Sequence, residues 1–237
     1  MWIIIGVTAL VLGGGLSLFF FMVYDGKIVL NNPSLQKYPV RGVDVSSYQG
    51  VIDWKVLASQ NLSFAFIKAT EGSSHVDPYF SRNFEAAVKQ GLRVSAYHFF
   101  SFQSMGKTQA DNYIRTVAKK DNMLPPVVDF EFYSGMPNPL PPIEETRKQL
   151  SDLLSFLENY YGMKPIIYAT KRSYKKYLKG YFDEYDFWMR DIYFEPSAEW
   201  KFWQYSNRGL LNGYKGSEKY IDLDVFNGTM DDFRCYP

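Results

Sequence analysis

The sequence is poor in the residues that form disulfides and bind transition metals. It has one cysteine, Cys235, and two histidines, His75 and His98, among 237 residues. A single cysteine has no partner within the chain, which excludes a disulfide framework, and no Cys/His ligand spacing for zinc occurs. We therefore predict no metal and no cofactor. A formal net charge of only +1 also argues against nucleic acid as a partner.

Charge is absent from the start of the chain. Residues 2–24 contain no charged side chain, and the run begins at Trp2 and ends at Tyr24, aromatic residues of the kind found at membrane interfaces. As a helix this run would be about 34 Å long, enough to cross a hydrocarbon core of about 30 Å. We predict a transmembrane anchor or uncleaved signal over residues 1–24, followed by a polar linker over 25–39.

Alternatives remain for this end of the chain. A cleaved signal peptide would also be apolar, but it needs a basic leading region and a small-x-small site, and neither is evident. The nearby basic residues follow the run, which by the positive-inside rule favours a cytoplasmic body; they are Lys27, Lys37 and Arg41. The chemistry predicted below requires a body outside the cytoplasm, periplasmic or at the cell surface, or secreted if the run is cleaved.

The rest of the chain, residues 40–237, alternates short apolar runs with stretches of helical periodicity. This alternation indicates parallel strands joined by crossover helices. Five such β/α units are followed by three strand-like runs, and eight strands would close a barrel. We predict an α/β fold, an irregular TIM-like barrel in a single, monomeric domain. The predicted strands are residues 40–45, 64–69, 92–99, 126–131, 165–169, 186–192, 200–205 and 220–225.

Acidic side chains stand at the ends of these strands. Asp129 and Glu131 are two residues apart, so they share one face of the fourth strand, at the carboxyl end where parallel barrels carry active sites. Two adjacent carboxyls repel, which keeps one protonated near neutrality, as glycoside hydrolysis requires. An isolated Asp-x-Glu pair is more often an ion-paired or solvated loop feature. A closed barrel, however, would bring further acids to this pair: Asp44, Asp222 and Asp224.

Seven short motifs, spread over residues 41–228, occur in the order of a known family. They are RGVDVSSYQG (41–50), FIKATEG (66–72), SAYHFF (95–100), PVVDFE (126–131), IIY (166–168), FWQYS (202–206) and IDLDVFNG (221–228). Each motif is weak by itself, but together they are specific. By these motifs the chain resembles glycoside hydrolase family 25, the Chalaropsis-type lysozymes.

The resemblance implies an activity and a set of catalytic residues. The family's barrel has five β/α units and three further strands, and its members cleave the β-1,4 bond between N-acetylmuramic acid and N-acetylglucosamine in the peptidoglycan glycan strand. The family's proton donor maps to Glu131 and its Asp-x-Glu aspartate to Asp129, while Asp44 and Asp222 are its acids on the first and last strands. After protonation, either the substrate's 2-acetamido group attacks the anomeric carbon, or an aspartate acts directly on water or on that carbon. The sequence does not distinguish these two routes.

The resemblance also suggests residues that bind substrate. Tyr97 and Tyr168 map to positions that line the groove, where each could stack on sugar or hydrogen-bond the acetamido group; core packing is the alternative. Gln204, between two aromatic residues, is a candidate for binding a hydroxyl group. Glu71 is a further candidate, although we expect Lys68 to pair with it.

One stretch departs from the family pattern. Many members have a Trp-x-Ala-x-Tyr-like stretch on the sixth strand, where this chain has WMRDI over 188–192. We predict an ion pair between Arg190 and Asp191, with a changed groove as the alternative. We also expect His98 to be a buried, hydrogen-bonded residue rather than a catalytic base.

Three other functions remain open at this stage. A glycan-binding module could keep the barrel without turnover, although a binder has no need of a proton donor. A hydrolase of another amino sugar polymer, such as chitin, would use a similar aromatic groove. A membrane scaffold protein would leave the acids unexplained.

Overall fold

The structure is a computed structural model that describes the backbone of residues 2–237 and the side chains of residues 13–237. The strands are β1 (Arg41–Val45), β2 (Phe64–Glu71), β3 (His75–Val76), β4 (Arg93–Phe99), β5 (Val127–Phe130), β6 (Ile166–Thr170), β7 (Phe187–Arg190), β8 (Phe202–Gly209) and β9 (Ile221–Phe226). The α-helices are α1 (Trp2–Tyr24), α2 (Trp54–Ala58), α3 (Phe80–Lys89), α4 (Gly106–Thr116), α5 (Ile143–Tyr161), α6 (Lys171–Ser173) and α7 (Met230–Cys235).

The strands form one closed barrel. The order around it is β1-β9-β8-β7-β6-β5-β4-β2, and β1 also pairs with β2, which closes the ring. Around this ring all neighbouring strands run parallel except β9, which is antiparallel to both β8 and β1. The direction of β9 matters for the site, because it brings the amino end of β9 to the carboxyl end of β1.

The predicted barrel is confirmed, with two local differences. Its eight strands coincide with the eight predicted runs, and β3 is an additional two-residue strand paired antiparallel with the end of β2. The fifth helical connection is irregular: α6 has three residues and continues as a π-helical turn over Tyr174–Leu178. Helix α5 ends at Tyr161, where Gly162 adopts the left-handed conformation with φ 75° that favours glycine.

Two apolar layers hold the barrel together. One lies between the strands and the surrounding helices, and the other fills the barrel interior with aromatic rings. Gly42 on β1 is required by this interior, because a Cβ atom there would lie 2.3 Å from the Phe64 ring. Phe233 of α7 packs on Phe64 and Phe226 at centroid distances of 5.7 and 5.1 Å, so the last helix covers the end of the barrel opposite the strand-end acids.

The first segment of the chain forms helix α1, Trp2–Tyr24. Of the predicted anchor over residues 1–24, the side chains of residues 1–12 lie outside the described residues. Within the described part of the chain, no helix has the length and apolar character needed to cross a membrane, so the predicted transmembrane anchor is not supported.

The segment predicted as a polar linker, 25–39, packs against the barrel. Asn31 Nδ2 donates to the Asp191 carbonyl at 3.1 Å. The Lys37 ammonium lies 2.9 Å from the Glu195 carboxylate, and the Tyr38 hydroxyl donates to the same carboxylate at 2.6 Å. Tyr38 is buried, and its ring lies 5.4 Å from that of Trp200.

Candidate active site

A cleft of about 300 Å³ opens at the carboxyl end of the parallel strands. Its wall is formed by side chains from all eight barrel strands and from segments that adjoin them. The residues that line it are Asp44, Val45, Ser46, Tyr48, Gln49, Lys68, Tyr97, Phe99, Asp129, Glu131, Tyr168, Trp188, Arg190, Gln204, Asn207, Glu218 and Asp222. All four predicted catalytic acids and three of the four predicted substrate-binding residues are therefore in one cleft.

Barrel closure brings the acids of the first and last strands together. Asp44 on β1 is directly opposite Asp222 on β9 in the antiparallel register. Asp224, two residues further along β9, is opposite Gln204 on β8. Side chains two apart on a strand share a face, so Asp222 and Asp224 form a short acidic column beside Asp44.

Asp129 and Glu131 form the second group of acids. Asp129 lies on β5 and is only 8% exposed, while Glu131 lies one residue beyond the strand and is half-buried. Burial raises the pKa of both carboxyls, the repulsion of Glu131 raises that of Asp129 further, and nearby cations only partly oppose this. Because the two groups interact, the pair titrates as a unit and retains a proton at a pH where isolated carboxyls are ionised.

One oxygen of Asp129 has no hydrogen-bond partner among the described residues. Oδ1 is buried and receives no hydrogen bond. A buried acceptor without a donor costs free energy, and this one belongs to a residue that lines the cleft. A substrate N–H or O–H group in the cleft could satisfy it.

A chain of hydrogen bonds fixes Asp44. The Tyr168 hydroxyl donates to Gln204 Oε1 at 3.0 Å, and Gln204 Nε2 donates to Asp44 Oδ2 at 2.7 Å. Burial and the neighbouring Asp224 raise the pKa of Asp44, against the effect of the Gln204 hydrogen bond. Gln204 and Tyr168 are thus placed to orient an acid, and a sugar contact by either residue stays a prediction.

The floor of the cleft is aromatic. The Trp188 ring lies 4.5 Å from that of Tyr168 and 4.4 Å from that of Phe66, and its Nε1 donates to Asp224 Oδ1 at 2.8 Å. Burial and the charge of Asp222 raise the pKa of Asp224. The polar link from Trp188 to Asp224 therefore connects the floor to the acidic column.

Comparisons with known proteins agree with this geometry. The sequence profile of the glycosyl hydrolases family 25 matches residues 43–214. The chain belongs to glycosyl hydrolase family 25. The family resemblance and the prediction of a glycoside hydrolase are thereby confirmed.

This family 25 hydrolase is similar to two curated proteins by sequence and to one solved structure. YegX of Escherichia coli K12, an uncharacterized protein, is 38% identical over 84% of this chain and 74% of its own length. Lysozyme M1 of Streptomyces globisporus is 32% identical over 80% of this chain and 68% of its own. The structure of a family 25 glycosyl hydrolase from Bacillus anthracis, 50% identical, superimposes with a TM-score of 0.81 and covers 87% of this chain and 97% of that one.

Two other residues considered in the sequence, Glu71 and His98, are not part of the cleft lining of this hydrolase. Glu71 does not line the cleft but pairs with Lys68 at 2.7 Å; the pairing prediction is confirmed, and a substrate contact by Glu71 stays a prediction. His98 is buried, with Nδ1 2.7 Å from Thr70 Oγ1 and Nε2 3.1 Å from Gln109 Oε1. Burial lowers the pKa of His98 to about 4, consistent with the structural role expected for it.

The predicted ion pair between Arg190 and Asp191 was wrong. Asp191 Oδ1 instead accepts the backbone N–H groups of Tyr193 and Phe194 at 3.1 and 3.0 Å. Arg190 lines the cleft. Adjacent residues on a strand point to opposite faces, and for this reason a side chain aimed into the barrel mouth does not meet its sequence neighbour.

Sequence reasoning missed Trp188 as a cleft residue, kept a changed groove at Arg190 only as the alternative, and did not include Asp224 among the catalytic candidates. The alternation along β7 contained the signal, because Trp188 and Arg190 share the face that lines the cleft. As for metals, no group of His, Cys, Asp or Glu side chains within the described residues is arranged to hold an ion.

Proposed function

We propose that this hydrolase cleaves the β-1,4 bond between N-acetylmuramic acid and N-acetylglucosamine in peptidoglycan, with Glu131 as the proton donor. The observation that carries the proposal is the convergence of Asp44, Asp129, Glu131 and Asp222 in one cleft. Burial raises the pKa of Glu131, which favours a proton on the acid that must give it up. Relatives named lysozyme and N,O-diacetylmuramidase support the same substrate class.

The first step we propose is protonation of the leaving oxygen by Glu131 as the bond from that oxygen to the anomeric carbon breaks. The carbonyl oxygen of the substrate's own 2-acetamido group forms a bond to the anomeric carbon from the opposite face, and Asp129 Oδ1 accepts the acetamido N–H. In the second step, water attacks the anomeric carbon and the bond from that carbon to the acetamido oxygen breaks. The Glu131 carboxylate takes the proton from water. The unpartnered Asp129 oxygen favours this route over direct attack by an aspartate, which remains the alternative.

The decisive test is digestion of purified peptidoglycan by the full chain, with chitin oligomers in parallel and mass spectrometry of the products. We expect fragments that end in reducing muramic acid, and much slower cleavage of chitin. Cleavage of chitin alone would replace the proposal with an activity on another amino sugar polymer. Glycan binding by a folded chain that releases no fragments would indicate a binding module instead.

We also propose that the barrel works outside the cytoplasm, because peptidoglycan lies there. The uncharged run over residues 2–24 supports export, either as a retained anchor or as a cleaved signal. Fractionation of cells that express the full chain with a C-terminal tag tests this, and an N-terminal sequence of the mature protein tells retention from cleavage. Recovery of the full-length chain only in the cytoplasmic fraction would contradict the proposal.

A further inference from the structure

Arg190 is a cation placed at the mouth of an acidic cleft. It is the last residue of β7, opposite Thr170 on β6 and Gln204 on β8 in the parallel register. Its side chain is half-buried and lines the same cleft as Glu131 and Asp222. It therefore reaches the space that the glycan must occupy.

The guanidinium of Arg190 forms no ion pair and no side-chain hydrogen bond with any residue that the structure describes. The other cation in the cleft wall, Lys68, is held by Glu71 at 2.7 Å. Arg190 has five N–H donors in a rigid fork, and among the described residues no carboxylate that lines the cleft forms an ion pair with it. Its nearest sequence neighbour, Asp191, is already bound to backbone N–H groups.

The charge of Arg190 acts on the acids without pairing with them. It lowers the pKa of Glu131 and of Asp222, in each case against the larger opposing effect of burial. A cation that served only to neutralise one of these acids would be in contact with it. The absence of such a contact among the described residues leaves the fork available for an anion that arrives with the substrate.

The substrate class proposed above supplies such an anion, and this inference rests on that proposed function. Muramic acid differs from N-acetylglucosamine by a lactyl group that ends in a carboxyl. That carboxyl is a free carboxylate in a peptide-free glycan, whereas in peptide-bearing glycan it is an amide and the nearest carboxylates belong to the stem peptide. Chitin has no carboxylate, and a guanidinium fork matches carboxylate geometry.

We propose that Arg190 binds a carboxylate carried on the lactyl side of muramic acid and thereby selects acidic glycan over neutral amino sugar polymers. Lysine at this position would keep the charge but lose the two-point contact of the fork. Glutamine would keep hydrogen-bond donors and lose the charge. The two substitutions therefore separate charge from geometry.

The test measures kcat/KM for Arg190→Gln, Arg190→Lys and the unchanged chain on two matched glycans. One is peptide-free glycan strand with free lactyl carboxylates, and the other is the same glycan after chemical reduction of those carboxylates to alcohols. We expect the ratio of kcat/KM, acidic over reduced, to fall about 10- to 100-fold in Arg190→Gln, as for loss of a hydrogen bond to a charged group. Arg190→Lys should be intermediate. Arg115→Gln, on the exposed face of α4, is the matched control and should keep the ratio.

A ratio that stays unchanged in Arg190→Gln, on peptide-free and on peptide-bearing glycan alike, would overturn the inference, because a residue that only tunes Glu131 affects the acidic and the reduced glycan equally. If the chain without substitutions cleaves the acidic and the reduced glycan equally well, the inference is also overturned, while the proposed function stays in place. An unchanged chain that cleaves no muramic acid glycan would remove the proposed function and this inference with it. Repeating the pair of assays on peptide-bearing glycan identifies which carboxylate Arg190 binds. If the ratio of kcat/KM falls in Arg190→Gln only on peptide-bearing glycan, the contact is with the stem peptide.

Discussion

Glu131→Gln should reduce kcat on peptidoglycan by about 10²- to 10⁴-fold, the range for loss of a general acid. Glutamine has the same shape but no acidic proton, so the leaving oxygen departs without protonation. Glycan binding should persist, because the amide still offers hydrogen bonds. The measurement is the rate of release of reducing ends, together with the dissociation constant for a glycan oligomer.

The pH profile provides an internal check on Glu131. The donor must carry its proton, and burial raises its pKa, so activity should persist above the pH at which an ordinary glutamate ionises and fall as the pH rises through the raised pKa. Glu85→Gln, on the exposed face of α3, is the matched control and should leave rate and profile unchanged. A Glu131→Gln variant with near-normal turnover would assign the proton donor to another acid in the cleft.

Asp129→Asn should lower kcat by about 10²- to 10³-fold, a typical effect of removing one group that stabilises the transition state. In the proposed route, the Asp129 carboxylate stabilises positive charge at the anomeric centre and accepts the acetamido N–H. The variant should fold, because asparagine is nearly isosteric and burial already disfavours the charged form. Steady-state kinetics and thermal unfolding of the variant measure both effects.

The residual activity of Asp129→Asn should show a shifted pH dependence. Repulsion between Glu131 and Asp129 raises the pKa of Asp129, and the interaction is mutual, so removing the Asp129 charge lowers the pKa of Glu131. The alkaline limb of the profile should therefore move to lower pH. Asp121→Asn, an exposed substitution, is the control. A profile that keeps its alkaline limb would show that the two carboxyls do not share their proton.

The barrel was predictable because its signals are local. Each strand is a short apolar run, and each full-length crossover helix has its own periodicity, so burial of these faces admits few arrangements. The acids at the strand ends were predictable for the same reason, since position at the end of a parallel strand places a side chain at the mouth of the barrel. Asp129 and Glu131 required only the two-residue repeat of a strand.

The contacts of those side chains were harder to predict from the sequence. Arg190 and Asp191 are adjacent in sequence and carry opposite charges, which suggested an ion pair, but the pleat of β7 turns them to opposite faces. Trp188 Nε1 donates to Asp224 Oδ1 at 2.8 Å. Gln204 Nε2 donates at 2.7 Å to Oδ2 of Asp44, which is 160 positions away in the sequence. Such contacts depend on strand register and on closure.

The sequence by itself determined the order of the elements, the family resemblance and the identity of the four candidate catalytic acids, because these depend on residue type and short spacings. Only the tertiary structure decided that β9 runs antiparallel and sets Asp222 beside Asp44, and that burial raises the pKa of these acids. It also decided that Arg190 lines the cleft without an ion-pair partner among the described residues. The physical reason is that pKa values and pairing depend on desolvation and on neighbours brought together by the fold.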